Sequence, residues 1–138
     1  MLAERRILSS GARWEPLVGY SRAVRVGDWI SVAGTTAELV NGQPAGGTDL
    51  AEQTRSAIRR IAAALGQLGG QLNDVVRTRI FLTDITRWEE AGRVHGEFFA
   101  DVRPVASMIE IRALIDPRLL VEIEADAIVH RESSERLT

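Results

Sequence analysis

An α+β fold, with two helices packed on one face of a mixed β-sheet, is what this 138-residue sequence predicts. Three observations predict it. Period-two alternation marks short strands near both ends and in the middle, helical stripes mark two segments between them, and no linker or repeat divides the chain. Hydrophobic residues make up 45% and charged residues 26%, a globular balance in a length that buries one core. Residues 1–130 are therefore expected to form a single domain, with 131–138 a polar, frayed tail.

The first 35 residues read as short strands. Ala23–Val26 and Trp29–Val32 flank Gly27-Asp28, a two-residue turn of the kind that closes a hairpin. Asn41-Gly42 and Pro44-Ala45-Gly46-Gly47 mark a flexible loop, either a plain surface connection or a flap over a pocket. Asp49 caps a helix, with Glu52 placed to complete a capping box, and Gly69-Gly70 ends it. Thr54, Ile58, Ile61, Leu65 and Leu68 recur at helical spacing as its buried stripe. Val75–Leu82 alternates as a strand. A second helix is expected from Thr86, with Glu89 in the capping-box position and Trp88, Ala91, His95, Phe98 and Phe99 inward, stopped by Pro104. Strands over 105–112 and 119–130 close an order β-β-β-α-β-α-β-β.

Composition removes whole classes of chemistry. The chain has no cysteine, so thiol nucleophiles, disulfides and thiolate metal sites are absent. All 17 basic residues are arginine, so no lysine is present to form a Schiff base. Arginine suits planar capture of carboxylates, although a codon bias toward arginine accounts for the same composition. Two histidines make no zinc set, and no glycine loop has the following lysine or the strand–turn–helix setting that cradles phosphate, so no metal or cofactor is expected. With net charge −2 and arginines scattered among acids, no nucleic-acid partner is expected either. No apolar run approaches the roughly 20 residues that span a bilayer, and no secretory signal is visible, so no membrane partner and a cytoplasmic location are expected.

What remains is carboxylate, arginine, hydroxyl and backbone chemistry. Glu122, Glu124 and Asp126 fall at alternate positions of the last strand and share one face. Arg77, Arg79 and Arg112 alternate similarly and are candidate partners. The acids read either as a charged ladder on a solvent or subunit face, or as one carboxylate in a cleft that positions a water. His95 lies on the inward stripe as a satisfied core or interface histidine, or as a site residue. His130 ends the last strand.

Together, several strings resemble the reactive intermediate deaminase (Rid, also called YjgF) family over about residues 15–130. They are Gly19-Tyr20-Ser21, Val26-Gly27-Asp28-Trp29-Ile30-Ser31-Val32-Ala33-Gly34-Thr35, Glu52-Gln53-Thr54, Asp74-Val75-Val76-Arg77-Thr78, Arg103-Pro104 and Leu120-Val121-Glu122-Ile123-Glu124-Ala125. The resemblance implies a chorismate-mutase-like fold assembled as a homotrimer, with small-molecule clefts between subunits. It implies the cofactor-free hydrolysis of reactive enamines and imines, released by pyridoxal-phosphate enzymes, to keto acids and ammonia that the family's deaminase members perform. By resemblance, Glu122 is the water-positioning glutamate, Tyr20 lines the cleft and Gly34 lies at the pocket wall. The family's Pro-Ala-Arg-Ser/Thr reads Pro104-Val105-Ala106-Ser107, so Ala106 stands where the deaminases carry a carboxylate-clamping arginine. Gly92 and His95 stand where they carry an asparagine and an aromatic. Loss of the clamp implies roughly ten-fold or more weaker affinity for 2-imino acids from that position. A non-catalytic ligand-binding role and a true deaminase with an altered clamp are the alternatives.

Overall fold

The computed structural model describes residues 4–129. In chain order these form β1 (Arg5–Leu8), α1 (Trp14–Val18), β2 (Ala23–Val26), β3 (Trp29–Thr35), β4 (Leu39–Val40), β5 (Gln43–Pro44), α2 (Leu50–Gln67), β6 (Val75–Leu82), α3 (Trp88–Phe99), β7 (Val105–Glu110) and β8 (Val121–Ile128). Six strands make one sheet in the order β1-β2-β3-β8-β6-β7. Only β6 and β7 run parallel, so the sheet is mixed as expected.

Alternation decides which face is covered. On β8, Val121, Ile123, Ala125 and Ala127 are buried under the helices, while Glu122, Glu124 and Asp126 face the other way. The buried partners on β3 and β6 are Ile30, Val32, Ile80 and Leu82. Helix α2 presents Ile58, Ile61 and Leu65, all fully buried, so truncating any one to alanine is worth about 2–5 kcal/mol. Its N-terminus is held by Asp49, whose carboxylate accepts from Glu52 N at 3.2 Å, while the Glu52 carboxylate pairs with Arg55 rather than returning to the cap. At the other end Gly69 turns at φ +84°, and Gly70 N donates to Leu65 O at 2.8 Å. Buried Arg25 reinforces this end through Nη1 to Leu68 O at 2.7 Å.

Several expectations are corrected. Helix α3 does not start at Thr86. Asp84 accepts from Thr86 N at 3.0 Å and winds one 3₁₀ turn first, while Glu89 pairs with Arg93 instead of capping. Trp88 is not inward: at the first helical position it is 53% exposed, and its ring lies over Gly92. The buried stripe is Ala91, Val94 and Phe99, with Phe98 only partly covered. The Asn41-Gly42 segment is a hairpin rather than a loop, because both residues adopt positive φ (52° and 76°) and close β4 on β5. Among the first 35 residues, α1 interrupts the strands. Its Glu15, 6% exposed, accepts from Ser9 Oγ, Ser10 N and Ser10 Oγ, a polar anchor that no periodicity announces. The closing strands are shorter than 105–112 and 119–130. His130 and the expected tail lie outside the described residues.

Candidate functional site

The open face of the sheet is polar at its centre. Arg79 Nη1 lies 3.6 Å from Glu124 and 3.4 Å from Asp126, and Ser31 Oγ donates to Asp126 at 2.9 Å. These contacts satisfy two of the three acids. Arg77 and Arg112, the other candidate partners, form no ion pair among the described residues. Glu122 is the third acid, and it has no ion pair either.

Glu122 is half-buried at the end of the sheet where β3 breaks register between Val32 and Thr35. The irregularity brings Gly34 beneath it. A Cβ on Gly34 would lie 2.7 Å from Glu122 Cδ and 2.8 Å from Oε2, so the carboxylate occupies the space that glycine leaves vacant. Burial, and then the neighbouring Glu124 charge, raise the Glu122 carboxyl above its ordinary 4.5, with Arg22 opposing. A carboxylate so placed is a better base than an exposed one and has no competing ion pair. Tyr20, 37% exposed, lies near enough to Arg22 to interact with it electrostatically.

The other expected site residues lie elsewhere. Ala106 pairs in register with Thr78, on the helix-covered side of the sheet at its β7 edge. His95 is half-buried beside it: its Nε2 is 2.9 Å from Thr78 Oγ1, and its ring stacks at 4.6 Å on Phe99. Burial holds the His95 pKa below its ordinary 6.5, so the imidazole is neutral at pH 7. Gly92 lies near the Trp88 ring and Met108, which follows Ala106 on the same face. Ser107 has the opposite parity and sits on the open face opposite Arg79. Within one chain, then, Glu122, Gly34 and Tyr20 gather at one end, while Ala106, Gly92 and His95 gather at an edge on the other face.

The sequence reading missed Arg22 and Arg60, which reach the Gly34 segment from the bend just before β2 and from α2. Arg22 Nη2 donates to Gly34 O at 2.6 Å and Arg60 Nη1 to Thr36 O at 2.8 Å. The one available signal was Arg22's position two residues after Tyr20. No group of three His, Asp or Glu side chains among the described residues converges to hold a metal, and no helix there is long and apolar enough to cross a membrane.

Comparison with known proteins adds a family. The family model for endoribonuclease L-PSP matches residues 10–129. A crystal structure of a member of the YjgF/YER057c/UK114 family from Mycobacterium tuberculosis is 57% identical, with a TM-score of 0.83 over 91% of this chain and 100% of that one. An uncharacterized protein from Streptomyces coelicolor is 38% identical over 125 residues, 88% of this chain and 90% of that protein. The 3-aminoacrylate deaminase RutC of Acinetobacter baylyi is 31% identical over 114 residues, 83% of this chain and 90% of that protein.

Proposed function

The chain belongs to the endoribonuclease L-PSP family, the group that also carries the YjgF, RutC and Rid names, and on that premise we propose that it is a cytoplasmic homotrimer hydrolysing a small imine or enamine in clefts between subunits. The observation that carries this reading is the unpaired, half-buried Glu122 carboxylate lying over Gly34. In the proposed reaction, water adds across the C=N bond of the imine tautomer. Glu122 takes a proton from the attacking water and returns it to nitrogen, giving a carbinolamine. The hydroxyl proton then passes through Glu122 to the amine nitrogen as the C–N bond breaks, releasing ammonia and leaving a carbonyl compound. Water balances the reaction, so neither redox nor cofactor chemistry is required.

The division of the remaining residues between two faces supports a site shared by two copies. Glu122 of one subunit meets Ala106, Gly92 and His95 of a neighbour only across an interface. The open face also exposes Trp29, Val105, Ile109 and Ile128, apolar side chains that a neighbour would cover. Ala106 offers a methyl group where a clamp would stand, so that wall supplies no cation. Ribonuclease activity suits the molecule less well, since the acid-rich sheet centre and net charge −2 repel phosphates. The relative named a 3-aminoacrylate deaminase makes enamine acids the first substrates to try.

The test is ammonia release from freshly generated 2-aminoacrylate and 3-aminoacrylate, with light scattering on the same sample. A trimer releasing ammonia faster than buffer is the expected result. A trimer that binds the products saturably yet leaves the spontaneous rate unchanged would instead make this a ligand-binding protein.

A further inference from the structure

A groove of about 430 Å³ runs along the outer flank of α2, on the helix-covered side of the sheet and away from the Glu122 carboxylate. Its floor follows from helical spacing. Glu52, Ser56, Arg59, Arg60 and Ala63 form the stripe left over once Ile58, Ile61 and Leu65 turn inward. The facing wall is the chain between β3 and α2. Glu38 N donates to Ser56 Oγ at 3.0 Å and Arg60 Nη1 donates to Thr36 O at 2.8 Å, so residues 36–38 run alongside that stripe. Ala45 N donates to Glu38 O at 2.7 Å, which sets Ala45 and Gly46 in the same wall. At Gly46 this wall presses on the helix: φ is +89°, and a Cβ there would lie 2.5 Å from Glu52 Cβ. The groove is therefore closed at its Glu52 end and bounded by fixed backbone along its side.

Charge is segregated along the groove. Arg59 and Arg60 stand together, while Glu38 is held beside Ser56, one turn earlier and roughly 6 Å away along the axis. Among the described residues none of these three has an ion pair within 4.0 Å. The other nearby acids are already taken by Arg55, which pairs with Glu52 and grips Glu97 through Nε at 3.1 Å and Nη2 at 2.7 Å. Arg59 feels the Glu97 charge but makes no direct contact with it. Opposite charges that line one groove without closing on each other leave a gap that a molecule carrying both charges fills. The guanidinium groups match a planar carboxylate, and the Glu38 carboxylate matches an ammonium. A free α-amino acid carries both on one carbon, and with a hydrogen bond at each end it spans a gap of this order. A simple anion would leave Glu38 unanswered, and a simple amine would meet two arginines. The small side chains of Ala45 and Ala63 leave room for its substituent.

We propose that this groove is a binding site for a free α-amino acid, its carboxylate on Arg59 and Arg60 and its ammonium on Glu38, separate from the Glu122 cleft.

Calorimetric titration of the assembled protein with L-alanine tests this, with propionate and L-alanine methyl ester as probes that each keep one of the two charges. L-Alanine is expected to bind saturably and at least about ten-fold more tightly than either probe. Glu38→Gln and Arg59→Gln should each weaken L-alanine about ten-fold or more. Both side chains are exposed, so the two variants should melt near the unmodified chain. Glu122→Gln should bind L-alanine as the unmodified chain does, whether or not the protein releases ammonia from an enamine. No saturable binding, a one-charge probe as tight as L-alanine, full affinity in both groove variants, or binding lost with Glu122→Gln would overturn the assignment.

Discussion

Replacing Glu122 by glutamine is expected to cut ammonia release from an enamine substrate by about 10²–10⁴-fold, the usual contribution of a positioned general base. The same change should make the folded protein more stable at pH 7. Burial raises the Glu122 carboxyl above its ordinary 4.5, so the folded state holds that proton more tightly than the unfolded chain does. Stability linked to this group is fully present below pH 4.5 and is lost as pH rises through the raised folded value. Above that value the folded chain carries an ionised carboxylate in a poorly hydrated place, and the amide removes that cost. Thermal melts from pH 4 to pH 8 should therefore show the variant's advantage appearing with rising pH. A variant that loses activity but melts below the unmodified chain at pH 7 would mean that Glu122 is an ordinary structural carboxylate.

Gly34→Ala should lower turnover by about 10²-fold while leaving the fold intact. Gly34 does not sit at positive φ, so alanine meets no backbone strain there. The new methyl would instead stand 2.7–3.0 Å from the three carboxyl atoms of Glu122. Those atoms end a flexible side chain, so the carboxylate swings aside rather than the strand moving. A displacement of about an ångström is enough to take a base out of line with its water. Circular dichroism and melting temperature should be near those of the unmodified chain. Full activity in this variant would show that the carboxylate does not work from over Gly34.

Much of this fold was readable because one sheet face is covered and the other is not. That asymmetry writes period-two alternation into β6 and β8, and the alternation alone places Glu122, Glu124 and Asp126 on one face. It could not say which arginine would answer them, because partnership depends on register across strands: Arg79 sits opposite Glu124, while Arg112 lies beyond the end of β7. Helical spacing turns Trp88 inward although it is exposed, because spacing gives a face but not where the covering layer ends. Asn41-Gly42 carried the local chemistry of a tight hairpin turn, yet strands of two residues are too short to show alternation. The family resemblance pointed to Gly34 and Glu122, but their contact depends on a break in register that no residue type announces. Arg22 and Arg60 are distant in sequence and meet only through packing of α2 against the end of β3. No periodicity records such a meeting.

Glu122 of one subunit and the Ala106–His95 edge of another are proposed to complete a single cleft, and mixed trimers test this directly. Glu122→Gln removes the base, and Ala106→Phe fills the opposite wall, so each variant alone should be inactive toward the enamine. Co-expressed in equal amounts and purified as mixed trimers, they should regain about one third of the unmodified activity per subunit, since in either mixed composition one of the three junctions joins a Glu122-bearing wall to an unblocked neighbour. Mixed trimers no more active than the two parents would contradict the claim and return the catalytic groups, if any, to a single subunit.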